Sequence, residues 1–373
     1  MGIKQDVFGL EQVYRLQLEG NWSTRGEVWT SPSPFSKAHP FGYFGGGDSP
    51  SKSIVDRIDY SNDTATASVR GPLSVNRRQF AATGNQNFGY FAGGVPGPLS
   101  SVDRIDYSND TATAAPKGPL GAVRDDLAAT GNQSFGYFAG TWITSELVYR
   151  IDYSNDTATA SRRGDLNMGS PSGFSRGAAT GNSNFGYFGG SYPNRSSVNR
   201  IDYSNDNVEA SPKGPLSVAR RELAATGNAS FGYFGGGHNG SSNVTIVDRI
   251  DYSNDTATAA SKGPLSVAKN FLAATGNTDF GYFGGGVFGG GSIVNRVDYS
   301  NDTGTAPARG PLSRDHGYVA AASAQANAIT TPTLFPASTV RENVAPHGTD
   351  FGYFGGGHPG PKSRVDRIDY SND

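Results

Sequence analysis

The residues with chemical potential fall into two groups. The first is periodic: Arg57, Arg104, Arg150, Arg200, Arg249, Arg296 and Arg367 recur at one place in a repeated string, each with an Asp two residues on. In an extended strand that spacing puts both side chains on one face. Such a set is either a ring of cations for an anion or a basic–acidic ladder between repeated units, and its presence in every unit favours the ladder. Asp59, Asn62 and Asp63 place oxygen ligands at short spacing, but without the central Gly and distal Glu of an EF-hand loop, so Asx turns account for them. The second group is aperiodic. It comprises Trp142 and Glu146, then Tyr192, Asn194 and Arg195, then His238 and Asn239, then Phe288 and His358. Aromatic rings beside amides, guanidinium and imidazole suit sugars, through apolar stacking plus hydrogen bonds.

Other chemistry lacks its residues. With no Cys there is no disulfide, thiolate zinc site or Cys nucleophile. None of the five His forms an H-x-x-x-H pair or sits beside a Ser nucleophile motif. The Gly runs after each FGYF have no following Lys-Ser/Thr, so they are not phosphate loops. The net charge of −2 supplies no basic field for nucleic acid. No catalytic residue, metal or cofactor is therefore expected. No run of 18 apolar residues is present to span a membrane. The opening MGIKQDVFGLEQVYRLQLEG lacks the apolar core of a secretory signal, so sequons such as Asn62-Asp63-Thr64 read as turns, not glycan sites.

These residues are positioned by a repeat. FGYF begins at 41, 88, 135, 185, 231, 280 and 351, and DYSND at 59, 106, 152, 202, 251, 298 and 369. Each unit parses into four short strands: Ala-Ala-Thr, Phe-Gly-Tyr-Phe, a V-D-R-I-D-Y strand, and a Thr-rich strand such as Thr256-Ala257-Thr258-Ala259. Four strands per unit near 47 residues is the pattern of a β-propeller blade, so the sequence predicts an all-β, seven-bladed propeller of four-stranded antiparallel blades. The innermost strand is small because it lies near a crowded axis. Gly232 is expected to admit a close neighbour. FGYF and DYSND supply 28 of the 39 Phe and Tyr, which read as core and not as a stacking platform for nucleic acid.

The order R-x-L-A-A-x-x-N, F-G-Y-F-G-G, V-D-R-I-D-Y resembles the Kelch repeat, although Thr stands where Kelch blades usually carry Trp. The copper-radical oxidases of that class need a Cys–Tyr crosslink, which this chain cannot make. The wording FGYFGGG, RIDYSNDT and AATGN, with the opening VFGLEQVYRLQLEGNW, is similar to propeller-like virion structural proteins of marine bacteriophages, including cyanophages. That resemblance implies a non-enzymatic virion protein, made in the host cytoplasm and carried on a tail or other appendage. It would adhere to a host surface glycan or protein, or to other virion proteins. A decoration or assembly protein without host ligand, a cytosolic protein–protein adaptor and a glycan-active enzyme are the alternatives.

The last unit stops at Asp373, after its third strand. The N-terminal segment, around Asn21-Trp22-Ser23-Thr24, is expected to supply the missing strand and remove two open sheet edges. Residues 1–18 then form an arm and 19–373 the propeller, with an insertion at 323–350 that is either an assembly element or an inert excursion. The aperiodic residues lie between the Gly run and the third strand, in loops expected on one face around the channel mouth.

Overall fold

A propeller blade needs a narrow strand at the axis, and the number of such strands sets the number of blades. In the computed structural model, residues 39–325 are described apart from 49, 98, 142–145, 170–172 and 288–289, together with strands 351–355 and 365–369. Innermost strands form at Ala81–Gly84, Ala128–Gly131, Ala178–Gly181, Ala224–Gly227, Asn270–Gly276 and Ala320–Ser323. The ring accordingly has six blades, not seven.

The first five blades are four-stranded antiparallel sheets. In blade 5 the order is Ala224–Gly227, Phe231–Gly235, Val247–Asp251 and Ala260–Lys262, with Tyr233 opposite Thr226 and Arg249. Blade 6 has three named strands, with Ala308 bridging to Asn295 where a fourth would run. Blade 1 takes its innermost strand from the far end of the ring: Ala320–Ser323 pairs with Phe41–Gly45. The first FGYF has no Ala-Ala-Thr of its own before it, whereas the sixth such strand precedes the insertion. The innermost strand is therefore shared out one blade ahead, and sequence repeats outnumber blades. The seventh FGYF and its RID partner form an antiparallel hairpin, Phe351–Gly355 on Val365–Asp369, in a separate compact unit that begins at Thr330. The N-terminal closing segment and the 1–18 arm lie outside the described residues, as does the insertion beyond Gln325.

The fourth strand also differs from expectation. Thr256–Thr258 is an exposed turn, and the strand is the following Ala260–Lys262. The YSN segment before it winds into a 3-10 turn capped by Asp251, whose carboxylate accepts from the Ser253 N–H and hydroxyl. Ala257 N–H closes the turn on Asn254 O, and Ala259 N–H donates to Pro215 O instead of a strand of its own blade. Strand propensity of Thr is overruled by a turn that is already hydrogen-bonded.

The six blade joints repeat one set of contacts. Tyr187 stacks on Tyr252 of the next blade with centroids 4.7 Å apart, and its hydroxyl donates to Asp255 at 2.9 Å. Arg200 donates to the same carboxylate at 2.7 Å while its guanidinium lies 4.3 Å from the centre of the Phe185 ring. The repeated Arg are thus a ladder between blades. Their partner is the last Asp of DYSND in the next blade, not the Asp two residues on, which caps the 3-10 turn. The seam is made by the same contacts: Tyr282 stacks on Tyr60 at 4.8 Å and, with Arg296, holds Asp63. The seam thus repeats the contacts of the other five joints, and the ring closes at six blades.

Gly232 is required by this joint. A Cβ there would meet Thr180 Cγ2 and the Tyr252 hydroxyl, both at 2.7 Å. We expect Gly232→Ala to cost about 1–3 kcal/mol through overpacking. Thermal melting checks this, and an unchanged Tm would contradict the joint.

A second buried layer lies under the loops. Arg220 and Asp248 are both fully buried and 2.7 Å apart, and Arg77 and Asp103 are likewise buried at 3.2 Å. Each Asp also accepts from the Ser of the P-L-S string: Ser217 N–H and Oγ bond Asp248. In blade 6 the pair becomes Lys269 and Asn295. Lys269 Nζ donates to Ile293 O at 2.7 Å, and burial pushes its pKa down to about 8. The unfolded chain binds this proton at higher pH than the folded one, so stability rises with pH from about 8 toward 10. Lys269→Met should remove a rise of order 3 kcal/mol across that window. Urea unfolding of both proteins at several pH values tests it, and parallel pH curves would contradict it.

Candidate functional site at the axial mouth

The turns at the axis combine a six-fold repeated backbone with side chains that do not repeat. Two residues before each Ala-Ala, the six blades place Gln79, Asp126, Arg176, Glu222, Phe271 and Tyr318. All six have positive φ, between 50° and 59°. Non-glycine residues seldom hold this conformation, and Gly would hold it without strain. Their backbones bond one another in a closed cycle. Asp126 N–H donates to Gln79 O, Arg176 to Asp126, Glu222 to Arg176, Phe271 to Glu222, Tyr318 to Phe271, and Gln79 to Tyr318, at 2.6–3.3 Å. The cycle satisfies six amides that the left-handed turn takes out of the sheets. Six different side chains thus stand on one repeated backbone.

These side chains line a cavity of about 70 Å³ at the channel mouth. The channel below is walled by alanines, with about 30 Å³ of space. On one side of the mouth is a polar chain. Gln79 Nε2 donates to Asp126 Oδ1 at 2.9 Å, and Arg176 reaches Asp126 Oδ2 and Glu222 Oε1, each at 3.0 Å. Glu222 also accepts from Arg221 at 3.1 Å and from Asn270 at 2.7 Å. Burial pushes the Asp126 carboxyl above its usual range, against the pull of Arg176. Two carboxylates outweigh burial at Arg176 and hold its guanidinium charged. On the other side Phe271 and Tyr318 face each other with centroids 4.0 Å apart.

The innermost strand runs antiparallel to the second, with Ala224 opposite Gly235, so the cycle lies on the same face as the variable loops. Among the sequence-predicted residues, Tyr192 is 41 % exposed at the rim, its ring facing the guanidinium groups of Arg176 at 5.9 Å and Arg221 at 5.6 Å. Asn194 Oδ1 accepts from Arg221 at 2.8 Å. His238 bridges to Arg221 through backbone, and its Nδ1 accepts from Gly240 N–H at 3.0 Å. Asn239 spends its side-chain oxygen on a turn, accepting from Ser241 and Ser242 N–H. Glu146 and Arg195 meet at a different place, on the two sides of Met168: its N–H donates to Glu146 and its carbonyl accepts from Arg195, both at 3.0 Å. Burial raises the Glu146 carboxyl. Trp142, Phe288 and His358 lie outside the described residues. Among the described residues no cluster of three His, Asp or Glu is arranged to hold a metal ion.

Sequence reasoning passed over the six mouth residues because each sits inside a repeated string, x-L-A-A-T-G and its variants. The signal was there in the one position of that string that reads Gln, Asp, Arg, Glu, Phe and Tyr in turn. A comparison with protein-family models returned no match, and neither did a comparison with curated proteins.

Proposed function

We propose that this chain is a non-enzymatic recognition module whose ligand face is the axial mouth and the loops around it. One observation carries the reading: a closed, six-fold backbone cycle in left-handed conformation carries six non-equivalent side chains. Scaffold positions repeat in this protein, so departure from repetition at its most constrained backbone position points to binding. The two mouth carboxylates are held by their neighbours: Asp126 accepts from Gln79 and Arg176, and Glu222 accepts from Arg176, Arg221 and Asn270. The resemblance of the repeat to virion structural proteins of marine phages suggests adhesion to a host surface as the setting, on a tail or appendage.

The test is binding of fluorescently labelled protein to intact cyanobacterial cells. We expect the parent to bind and Tyr192→Ser to weaken binding severalfold at unchanged Tm, because Tyr192 is exposed at the rim. Parent protein that does not bind cells, or a variant that binds as the parent does, counts against this face. Release of reducing sugar from extracted surface polysaccharide would show an enzyme instead.

A further inference from the structure

We infer that the axial mouth receives one uncharged saccharide unit; this rests on the recognition reading above. Charge decides against an ionic ligand. Arg176 already lies between Asp126 and Glu222, and Arg221 is on Glu222. An anion entering the mouth would have to draw Arg176 from its two carboxylates, at a cost that its own contact only replaces, and a cation would have to sit beside the guanidiniums that already neutralise them. A neutral polyol adds hydrogen bonds without breaking any. An ionised carboxylate offers about four acceptor sites, and Asp126 uses two of them on Gln79 and Arg176.

Shape agrees with charge. The mouth is polar along Gln79, Asp126, Arg176 and Glu222 and aromatic at Phe271 and Tyr318, with the Arg176 guanidinium 5.5 Å from the centre of the Phe271 ring. A hexopyranose has hydroxyls around its edge and an apolar C–H face, so it can satisfy both sides at once. Volume bounds the guest: about 70 Å³ is far below the several hundred Å³ of a nucleotide-sized pocket, so a single sugar edge enters and the remainder stays at the rim. The backbone cycle holds these groups in place before binding, which lowers the ordering cost.

The experiment is ligand-observed NMR with the full chain and a panel of neutral methyl hexosides, with glucuronate and glucosamine as charged counterparts. At least one neutral hexoside should show saturation transfer, and the charged sugars should bind at least about fivefold more weakly. Phe271→Asn should weaken the hexoside at least about fivefold, Asn being chosen because it tolerates the left-handed backbone. Tyr318→Asn is the second variant, and an unchanged Tm confirms that each folds. Preferential binding of a charged sugar overturns the inference, as does undiminished binding by both variants. If no hexoside binds while the labelled protein still binds cells, the saccharide assignment fails and the recognition reading survives. If neither binds, both fail.

Discussion

Deleting Ala320–Ser323 should abolish the cooperative unfolding of the ring. These four residues supply the innermost strand of blade 1, pairing with Phe41–Gly45 across the longest sequence separation among the six blades. Their loss bares the inner edge of Phe41–Gly45 and removes buried Ala320 and Ala322 from the core around Tyr43. The expected loss is about 5 kcal/mol or more, a large part of the stability of an ordinary domain. Circular dichroism melts and size-exclusion chromatography measure it. The second arm of this test uses two identical strings. Tyr43 and Tyr353 both stand in FGYFGGG, yet Tyr43 is fully buried in the ring while Tyr353 belongs to the separate C-terminal hairpin. Tyr43→Ala should cost about 3–5 kcal/mol of ring stability, and Tyr353→Ala should leave the ring's transition where it was. Equal effects of the two substitutions would indicate a seven-bladed ring.

Removing one partner of a buried pair should have the next largest effect. Asp248→Ala leaves the Arg220 guanidinium fully buried with backbone acceptors at Gly236 and Ile246 and no carboxylate. The cost expected is about 3–5 kcal/mol. Blade 6 already shows a solution with one fewer charge, where Lys269 and Asn295 stand at the corresponding places and Nζ is held by carbonyls. The double variant Arg220→Lys with Asp248→Asn should therefore recover most of the loss. Urea unfolding of the three variants gives the numbers, and a double variant no better than Asp248→Ala would show that the blade 6 arrangement depends on its own surroundings.

Much of this was legible from local pattern, because a propeller blade buries its residues against one neighbour at a time. Period, strand alternation, the small innermost strand and the closeness required at Gly232 follow from residue size and side-chain direction alone. The ladder role of the repeated Arg was legible for the same reason. Its partner was not: Asp251 is two residues from Arg249, but its Oδ1 accepts twice from Ser253 in the turn it caps, and the carboxylate that meets Arg249 is Asp302 in the next blade. Sequence distance says nothing about which acid lies across a joint. Blade number was beyond local reading too. Seven FGYF strings suggest seven blades, but closure depends on which hairpin captures Ala320–Ser323 and on whether Tyr282 and Arg296 find Asp63. Both are contacts between opposite ends of the ring. The mouth was hidden for a third reason. Gln79, Asp126, Arg176, Glu222, Phe271 and Tyr318 are separated by about a blade each along the chain, and only the closed backbone cycle brings them together. The chain by itself determined what a blade is, because that is short-range packing; the tertiary structure decided how many blades close and which side chains meet at the axis, because those are properties of the ring.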